Sequence, residues 1–528
     1  MTPQDSFRMV LESAFSLSHS DPKARDLVAR FVDEANRSIL VKGVSEGRLK
    51  EASQITWWDI KVDILLMGIE SGRLVRATSG LLRLRKALAP LLGKELGIGI
   101  RGVLATTLQV FVPLELKSDG EKIKRLQLLP KVSSVKETED GLSISFELLT
   151  EGEIQRGIPE RAIRLAEEIF AEGRRKEEHV SQETPIVRRS SVKPIRFSED
   201  PLEVAVRRGW VKEFPGRGQW IYTPPYVKLL EVLERILIDE VVHKLGFQPF
   251  MVPKLIPFEV MKLMPGYFDS IPEGMYYVCP PPRDPVAFDR FKNLFKITHE
   301  VSREELGKVV KEPNYVLDPS QCTPLWYFLS RETVDLSALP FKFYDRSGWT
   351  YRWEGGGVEG LVRVQEFRRV ELVYVADPEE TVKIRDAVLG ESVRVVEEIL
   401  GMEWRVVAAT PFFIRKEDSP HIEAGESKDV AAYDLEVYVP YRGPRESSEW
   451  LEITSCFVHK RKFTDSFKIR EVKGREVWSG CSGLGVSRWV AAFLATYGFD
   501  ASSWPEKVRS GYGESTPPPK TLEWPSER

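Results

Sequence analysis

Two arginines and a glutamate flank a glycine-rich segment in the middle of the chain. Arg352 and Glu354 precede the glycine-rich residues 355–360, and Arg363 follows them, ahead of the run EFRRVE at 366–371. Guanidinium groups can bind phosphate oxygens in pairs and keep their charge at any physiological pH. Two strands joined by this loop would form a hairpin that carries these side chains at one end. The pattern indicates a polyphosphate site, although an exposed hairpin with solvated charges explains it equally well.

A second glycine-rich segment lies near the end of the chain. Residues 480–488 read GCSGLGVSR and precede an apolar helical pattern that contains Trp489, Val490 and Phe493. Glycine lets the backbone approach a ligand closely, and Arg488 would enter the helix that begins there. Taken alone, such a turn is weak evidence for a binding site.

The cysteine pattern and the composition limit the classes of protein. The four cysteines lie far apart and form no C-x-x-C pair, which is typical of a reduced, cytoplasmic protein. Charged residues make up 29% of the chain with a formal net charge of -3, so any nucleic-acid contact must come from local basic patches. The sequence shows no secretory leader and no run of roughly 18 apolar residues, which argues against secretion and membrane insertion.

These segments need a folded scaffold, and the chain divides into two parts that could provide it. Residues 177–194 contain few large apolar side chains, two prolines and mixed charge, as in an interdomain linker. Apolar patterns in the first part predict an α+β domain, with strands at 39–41, 108–116 and 142–148 and a helix at 162–170 behind Pro159. We expect an N-terminal domain at 1–176, a linker at 177–196, a second domain at 197–510 and a poorly ordered C-terminal tail at 511–528.

The second domain combines long helices with alternating strands. Residues 226–245 show a helical apolar pattern that Gly246 would end, and a strand at 247–252 follows. Asp377 is placed to cap a helix that continues to residue 400. Alternating runs that predict strands lie at 361–375 and 433–439. The expected fold class is therefore α+β, with helices packed on an antiparallel sheet.

Three segments in order resemble the signature motifs of a known family. The helix and strand that end at Pro253, the hairpin around Arg352, and residues 480–488 resemble motifs 1, 2 and 3 of class II aminoacyl-tRNA synthetases over residues 195–505. Within that class, GLVRVQEFRRVE at 360–371 and WLEITSC at 450–456 resemble seryl-tRNA synthetases most. The N-terminal domain lacks the sustained heptads of the coiled coil found in ordinary seryl enzymes. The chain is similar instead to the atypical, methanogenic-type archaeal (type-2) enzymes, which hold zinc.

The resemblance implies a zinc ion, one per subunit, bound by two cysteines and one glutamate. The matching positions are Cys322, Glu371 and Cys481. Such a set leaves a fourth zinc position open for water or substrate, here the amino group of serine. Cys456 is a weaker competitor for a ligand role, and Cys279 is interpreted as a loop or packing residue. Spacing alone would leave these cysteines as small apolar core residues.

The resemblance also assigns a nucleotide site. Arg352 and Arg488 would contact the ATP phosphates, with Arg363 as a further arginine on that side. Glu354 would contact the adenine edge, and Phe367 would stack on the base. Glu452 would help to hold Mg²⁺ with ATP, unless it merely pairs with a cation across the sheet.

The implied reaction is ATP-dependent activation of L-serine to seryl-adenylate, followed by transfer to tRNA(Ser), with tRNA(Sec) as a second candidate. The family forms homodimers, and its N-terminal domain binds tRNA. A weak tRNA-binding candidate is the basic cluster Arg73, Arg76, Arg83, Arg85 and Lys86. Two alternatives stay open: a zinc-dependent class II enzyme for another small amino acid, and a non-catalytic paralogue that binds RNA or a carrier protein.

Overall fold

The computed structural model of the protein separates into two compact units, Met1–Gln182 and Glu183–Arg528. The structure describes residues 7–113, 120–138, 140–175, 185–355, 357–409, 411, 430–514 and 516–519. Among these residues, no helix combines the length and the apolar character that crossing a membrane requires. Residues 177–184 of the predicted linker, and residues 515 and 520–528 of the predicted tail, lie outside the described residues.

The first unit is built on an antiparallel sheet. The strand Arg8–Leu17 lies between Ile64–Ser71 and Ile100–Pro113, and its alternate residues are buried. The helix Ala77–Leu96 packs on this sheet through a row of buried leucines. The remaining strands are Ser53–Lys61, Val132–Thr138, Gly141–Phe146 and Leu149–Thr150, and the remaining helices are Ala24–Glu34, Glu46–Glu51, Gly120–Gln127, Glu151–Gln155 and Ile158–Arg175.

One strand predicted for this unit is wrong. Residues 39–41 begin at the last residue of a π-helical turn, Ala35–Ile39, that continues the helix Ala24–Glu34. A short apolar run does not distinguish a strand from the end of a helix, and here it belongs to the helix. The other patterns are confirmed as the strands Ile100–Pro113 and Gly141–Phe146, with residues 114–116 outside the described part.

The second unit is built on a larger sheet. Its strands lie in the order Gln248–Phe250, Phe341–Asp345, Val370–Ala376, Trp478–Leu484, Leu451–Lys460, Ala432–Val437, Trp404–Ala409 and Ile186–Arg189. All neighbours are antiparallel except the first pair, which is parallel. The predicted α+β class, with helices on an antiparallel sheet, is confirmed. The strand Ile186–Arg189 lies inside the predicted linker, so this part of the linker belongs to the sheet.

Two predicted helices of the second unit begin or end at the residues that the sequence predicts. The predicted helix at 226–245 runs as Pro224–Leu237 with a π-helical turn Ile238–His243, and Gly246 follows in the left-handed conformation. Asp377 caps Pro378–Arg394, because its carboxylate accepts the N–H of Glu380 at 2.9 Å. Further helices and helical turns are Pro201–Arg207, Phe258–Met261, Pro272–Gly274, Pro285–Phe288, Asp289–Thr298, Arg303–Val309, Thr323–Phe328, Leu336–Ala338, Val395–Ile399, Pro440–Arg442, Lys462–Ser466, Val486–Tyr497, Ala501–Ser503 and Glu506–Tyr512.

The hairpin predicted around the glycine-rich segment is shorter than expected. Its paired strands are Trp349–Tyr351 and Glu366–Arg368, and the predicted strand at 361–375 does not extend to residues 361–365. A turn at Gly360, which has a φ of 48°, folds these residues back so that Leu361 and Val362 are buried. The alternating pattern therefore reflects burial of a loop against the sheet. Other short strands pair separately: Val211–Glu213 with Trp220–Tyr222, Thr333–Val334 with Arg470–Glu471, and Leu255–Pro257 and Tyr277–Val278 on either side of Tyr315–Leu317.

Two glycines on the strand Trp478–Leu484 permit close packing between strands. A Cβ atom at Gly480 would overlap the ring of Tyr374, which is fully buried and donates its hydroxyl to the Phe457 carbonyl at 2.7 Å. A Cβ atom at Gly483 would lie 3.1 Å from Cδ of Arg369 and 3.4 Å from a carboxylate oxygen of Glu371. The glycines of this segment thus make room for side chains of the neighbouring strand.

We expect Gly480→Ala to lower the free energy of unfolding of the second unit by about 1–3 kcal/mol, because the buried Tyr374 ring has to move. Denaturant unfolding of the full chain measures this change. Gly390→Ala is the matched control: Gly390 lies on the exposed side of a helix with nothing near its Cβ position, so this variant should gain roughly 0.5–1 kcal/mol. Equal stability of the two variants would contradict the packing argument.

Candidate active site

A cavity of about 270 Å³ opens on one face of the second unit's sheet. Residues of five adjacent strands line it, namely Val370–Ala376, Trp478–Leu484, Leu451–Lys460, Ala432–Val437 and Trp404–Ala409. Residues before the helix Thr323–Phe328 and from the hairpin close its sides. Sheet faces of this kind provide rigid support, so side chains that point from them into the cavity keep fixed relative positions.

Two cysteines and a glutamate converge in this cavity. One ligand atom each from Cys322, Glu371 and Cys481 lies within 4.8 Å of the other two, and all three residues are buried. Glu371 pairs with Gly483 across the two central strands, and Val373 pairs with Cys481, so Glu371 and Cys481 are diagonal neighbours on one face. Cys322 directly precedes the helix Thr323–Phe328, and its thiol approaches both side chains from there. The trio named from sequence is therefore brought together.

The trio has the electrostatic character of an ion site. Burial raises the pKa of Glu371 to about 7, although Arg369 opposes this shift from 3.0 Å away. A hydrogen bond with Cys322 and burial raise the pKa of the Cys481 thiol. Among the described residues, the Oε2 atom of Glu371 has no aligned hydrogen-bond donor. Two thiols and a carboxylate suit a divalent cation, which would compensate their charge once they ionise.

Cys456 lies on the other face of the sheet. It is fully buried in the core cluster beneath the long helices, whereas Cys481 and Cys322 belong to the cluster on the cavity side. Because neighbouring residues of a strand point to opposite faces, Ser455 and Phe457 line the cavity and Cys456 does not. Cys279 is exposed.

The predicted nucleotide residues surround the same cavity and a smaller one beside it. Arg352, Phe367, Glu452 and Arg488 line the larger cavity. The smaller cavity, of about 30 Å³, is lined by Glu354 and Arg363 together with Arg352, Phe367 and Arg488. All six residues are thus brought together around one continuous site, and their individual roles stay predictions.

Arg352 and Arg488, which both line the larger cavity, differ in their hydrogen bonds and ion pairs. Arg488 donates to the backbone carbonyls of Val362 and Glu452 at 3.1 and 3.2 Å and lies 3.3 Å from the Glu452 carboxylate. The guanidinium group of Arg352 makes no hydrogen bond or ion pair within the described part of the chain. An unpaired guanidinium facing a cavity is well suited to bind an anion.

Two carboxylates in the cavity are held in different protonation states. Burial would raise the pKa of Glu452, but Arg488 and a hydrogen bond from Ser455 outweigh burial and lower it. Burial raises the pKa of Asp434 to about 8, and the negative charge of Glu452 adds to this shift. Glu452 is therefore the charged member of the pair at neutral pH, and Asp434 is the member that more readily carries a proton.

Three residues near the metal trio were missed by the sequence analysis. Arg369 lies between Phe367 and Glu371 in sequence, so period-two alternation already predicts it on the cavity face. His459 Nε2 lies 3.4 Å from Cys481 Sγ, and burial lowers the pKa of the imidazole to about 3. Buried Tyr267 also lines the cavity, and no sequence pattern marks it.

A buried glutamine fixes the glycine-rich loop. The side-chain oxygen of Gln365 accepts the N–H of Glu354 at 3.1 Å and the hydroxyl of Tyr276 at 2.9 Å. The Gln365 carbonyl accepts the N–H of Arg352 at 2.9 Å. These bonds hold the backbone of Arg352 and Glu354 beside the cavities, and the bond to Arg352 continues the register of the hairpin strands.

Most arginines of the basic cluster form contacts with other residues of the first unit. Arg73 pairs with Glu167, and Arg76 lies over the ring of Phe7. Arg83 donates to two backbone carbonyls, and Arg85 pairs with Glu151 at 2.8 Å. Lys86 is exposed on the helix Ala77–Leu96, as is Lys94. Lys86 is therefore the member of the cluster that is most available to a partner.

Comparison with protein families gives two matches along the chain. Residues 7–168 match a tRNA-binding domain. Residues 308–497 match the tRNA synthetase class II core domain shared by enzymes for G, H, P, S and T. The second match contains Cys322, the hairpin and both glycine-rich segments, and therefore every predicted metal and nucleotide residue.

Full-length relatives share the architecture of both units. A type-2 serine–tRNA ligase of Methanopyrus kandleri is 40% identical over 98% of this chain and 99% of its own length. The corresponding ligase of Methanothermobacter thermautotrophicus is 39% identical, with the same shares covered. A crystal structure of M. kandleri SerRS in complex with A. aeolicus tRNASec superimposes with a TM-score of 0.80 over 99% of this chain. The chain belongs to the type-2 serine–tRNA ligase family.

Proposed function

We propose that this protein activates L-serine with ATP and transfers the seryl group to tRNA(Ser), and to tRNA(Sec) where that tRNA is present. The observation that carries the proposal is the meeting, in one cavity, of the thiol and carboxylate trio with the two arginines and Phe367. An amino acid held at the trio would lie next to a nucleotide held by the arginines. The names of the full-length relatives support serine as the amino acid.

In the proposed first step, the carboxylate of serine attacks the α-phosphate of ATP and pyrophosphate leaves. Arg352 and Arg488 hold the phosphate oxygens and neutralise the charge that develops there. Phe367, which is half-buried beside the cavity, stacks on adenine, and Glu354 accepts from the base edge. Glu452 keeps its charge because Arg488 is close, so it can hold Mg²⁺. Arg363 lines the smaller cavity beside Arg352 and Arg488 and acts as a further phosphate-binding arginine.

The trio fits Zn²⁺, with Cys322, Glu371 and Cys481 as protein ligands. A bound zinc ion would supply an open position for the amino group of serine, which favours α-amino acids over hydroxy acids. The chain's own contribution is orientation: the three side chains project from one sheet face and one adjoining turn. A serine fixed there would present its carboxylate toward the arginines, an entropic gain in rate.

Further partners follow from the same proposal. The first unit, which matches a tRNA-binding domain, would bind tRNA. A homodimer is supported by apolar side chains left exposed near the edge strand Gln248–Phe250, where Met251 is 85% and Phe328 58% exposed. Free cysteines in the proposed metal site favour a reducing, cytoplasmic location.

We expect Cys481→Ser and Cys322→Ser to reduce bound zinc from one per subunit to a small fraction. Serine-dependent ATP–pyrophosphate exchange should fall by roughly 100-fold or more, because orientation of the amino acid is lost. Elemental analysis and the exchange assay measure the two effects. Cys456→Ala is the control and should keep both zinc and activity. Full zinc content in the Cys481→Ser protein would remove this residue from the ligand set.

An amino-acid panel in the exchange assay separates the proposal from its alternatives. Serine should support exchange, and threonine, alanine and glycine should support little. Exchange with a different small amino acid would identify an enzyme of the same reaction type with another substrate. Absence of exchange with every amino acid, together with RNA binding, would identify a non-catalytic paralogue.

We expect Arg352→Lys to lower kcat/KM for ATP by roughly 100-fold, because lysine cannot replace a bidentate guanidinium on a phosphate group. The measurement is ATP–pyrophosphate exchange at saturating serine. Arg346→Lys, at an exposed position near the same hairpin, is the matched control and should match the unaltered protein. If both variants behave alike, Arg352 does not contact the phosphates.

We expect the double variant Lys86→Ala, Lys94→Ala to bind tRNA more weakly. The slope of log affinity against log salt concentration should become shallower by about one for each phosphate group that the variant no longer binds. Binding assays at several salt concentrations measure the slope. ATP–pyrophosphate exchange should not change, because both lysines lie in the first unit. An unaltered tRNA affinity would place the tRNA on another surface.

A further inference from the structure

We propose that Gln321 is a positioning residue, which couples the metal-ligand turn to the nucleotide hairpin through one buried amide. This inference rests on the proposed function, since it concerns how the zinc and ATP sites are held together. Gln321 directly precedes Cys322, and nothing in its backbone role requires a long polar side chain. Its side chain, however, reaches two separate elements of the site.

The backbone of Gln321 is held in an unusual conformation. Its φ is 66°, in the left-handed region that side-chain-bearing residues seldom adopt, and the residue is fully buried. The carboxylate of Asp318 accepts the N–H of Gln321 at 2.9 Å and that of Ser320 at 3.2 Å. This tight turn directs Cys322 toward the cavity and the Gln321 side chain toward the sheet.

The side-chain amide of Gln321 uses both its ends. Nε2 donates to the backbone carbonyl of Asp345 at 3.0 Å and to its carboxylate at 2.8 Å. Oε1 accepts the hydroxyl of Thr350 at 3.0 Å. All three residues are fully buried. The amide has one orientation that satisfies these partners, because a carboxylate accepts only from the NH₂ end.

The two partners of this amide are strand neighbours of site residues. Asp345 pairs with Glu371 across adjacent strands, and Thr350 pairs with Phe367 in the hairpin. Lys254 forms an ion pair with Asp345, which compensates its buried charge. One amide therefore links the turn of the first cysteine ligand, the strand beside the glutamate ligand, and the hairpin beside the nucleotide aromatic residue.

If the amide couples the two sites, a change at either end should affect both zinc binding and ATP binding. Removal of the hydrogen bond at the hairpin end should weaken zinc binding, although the hairpin contains no zinc ligand. Removal of a hydrogen bond at the turn should raise KM for ATP, although the turn contains no nucleotide residue. Residues that hold metal ligands in place typically change metal affinity by about 10-fold to 100-fold when they are replaced.

The first test changes only Thr350 in the full-length, zinc-loaded protein. Thr350→Val keeps the shape and removes the hydroxyl, and Thr350→Ser keeps the hydroxyl. Zinc affinity is measured by competition with a chromogenic chelator, and KM for ATP by pyrophosphate exchange. We expect Thr350→Val to lose roughly 10-fold in zinc affinity and to raise KM for ATP, whereas Thr350→Ser stays near the unaltered protein. Unaltered zinc affinity in Thr350→Val overturns the proposal.

The second test exchanges the amide between its partners. Gln321→Glu places a carboxylate against buried Asp345 and should weaken zinc binding and ATP binding together. The double variant Gln321→Glu, Asp345→Asn restores the contact between one amide and one carboxylate, and should recover part of both losses, because the bond to the carbonyl of residue 345 stays broken. Absence of recovery in a folded double variant counts against the coupling. Zinc content and serine-dependent exchange of the unaltered protein test the proposed function separately, so a failure there is distinguishable from a failure of the variants.

Discussion

The site depends on the diagonal contact between Glu371 and Cys481 on adjacent antiparallel strands. Their register places both side chains on one face, and Gly483 leaves space for the glutamate and for Arg369 beside it. A shift of one strand by one residue would turn its side chain to the opposite face and separate the glutamate from the cysteine. The third member, Cys322, can then join from a turn, provided that the turn is rigid. The second unit's core on both faces of the sheet supplies that rigidity.

Much of the scaffold could be predicted because its signals are local. The helix cap at Asp377, the end of a helix at Gly246 and the apolar run of the strand Val370–Ala376 depend on nearest neighbours in sequence. The family could likewise be predicted from short motifs in a fixed order. The ligand trio depended on this resemblance, because its members lie far apart in sequence and only the folded sheet brings them together.

The remainder could not be predicted because it is determined by tertiary contacts. Residues 361–365 alternate like a strand, yet a turn at Gly360 buries them as a loop. Gln321 has a polar side chain in a turn, and no sequence pattern indicates that it is fully buried between Asp345 and Thr350. Arg369 is the exception, since the alternation that predicts Phe367 and Glu371 on one face includes it.

The strand Ile186–Arg189 has a consequence for how the protein can be divided. It hydrogen-bonds to the mostly buried strand Trp404–Ala409 and replaces it at the edge of the large sheet with a short strand that contains two arginines. A long apolar edge strand pairs readily with strands of other molecules, which favours aggregation. A fragment that begins after residue 196 would contain every residue of the cavity and would still lack this short edge strand. The strand Ile186–Arg189 therefore protects the second unit against pairing with strands of other molecules.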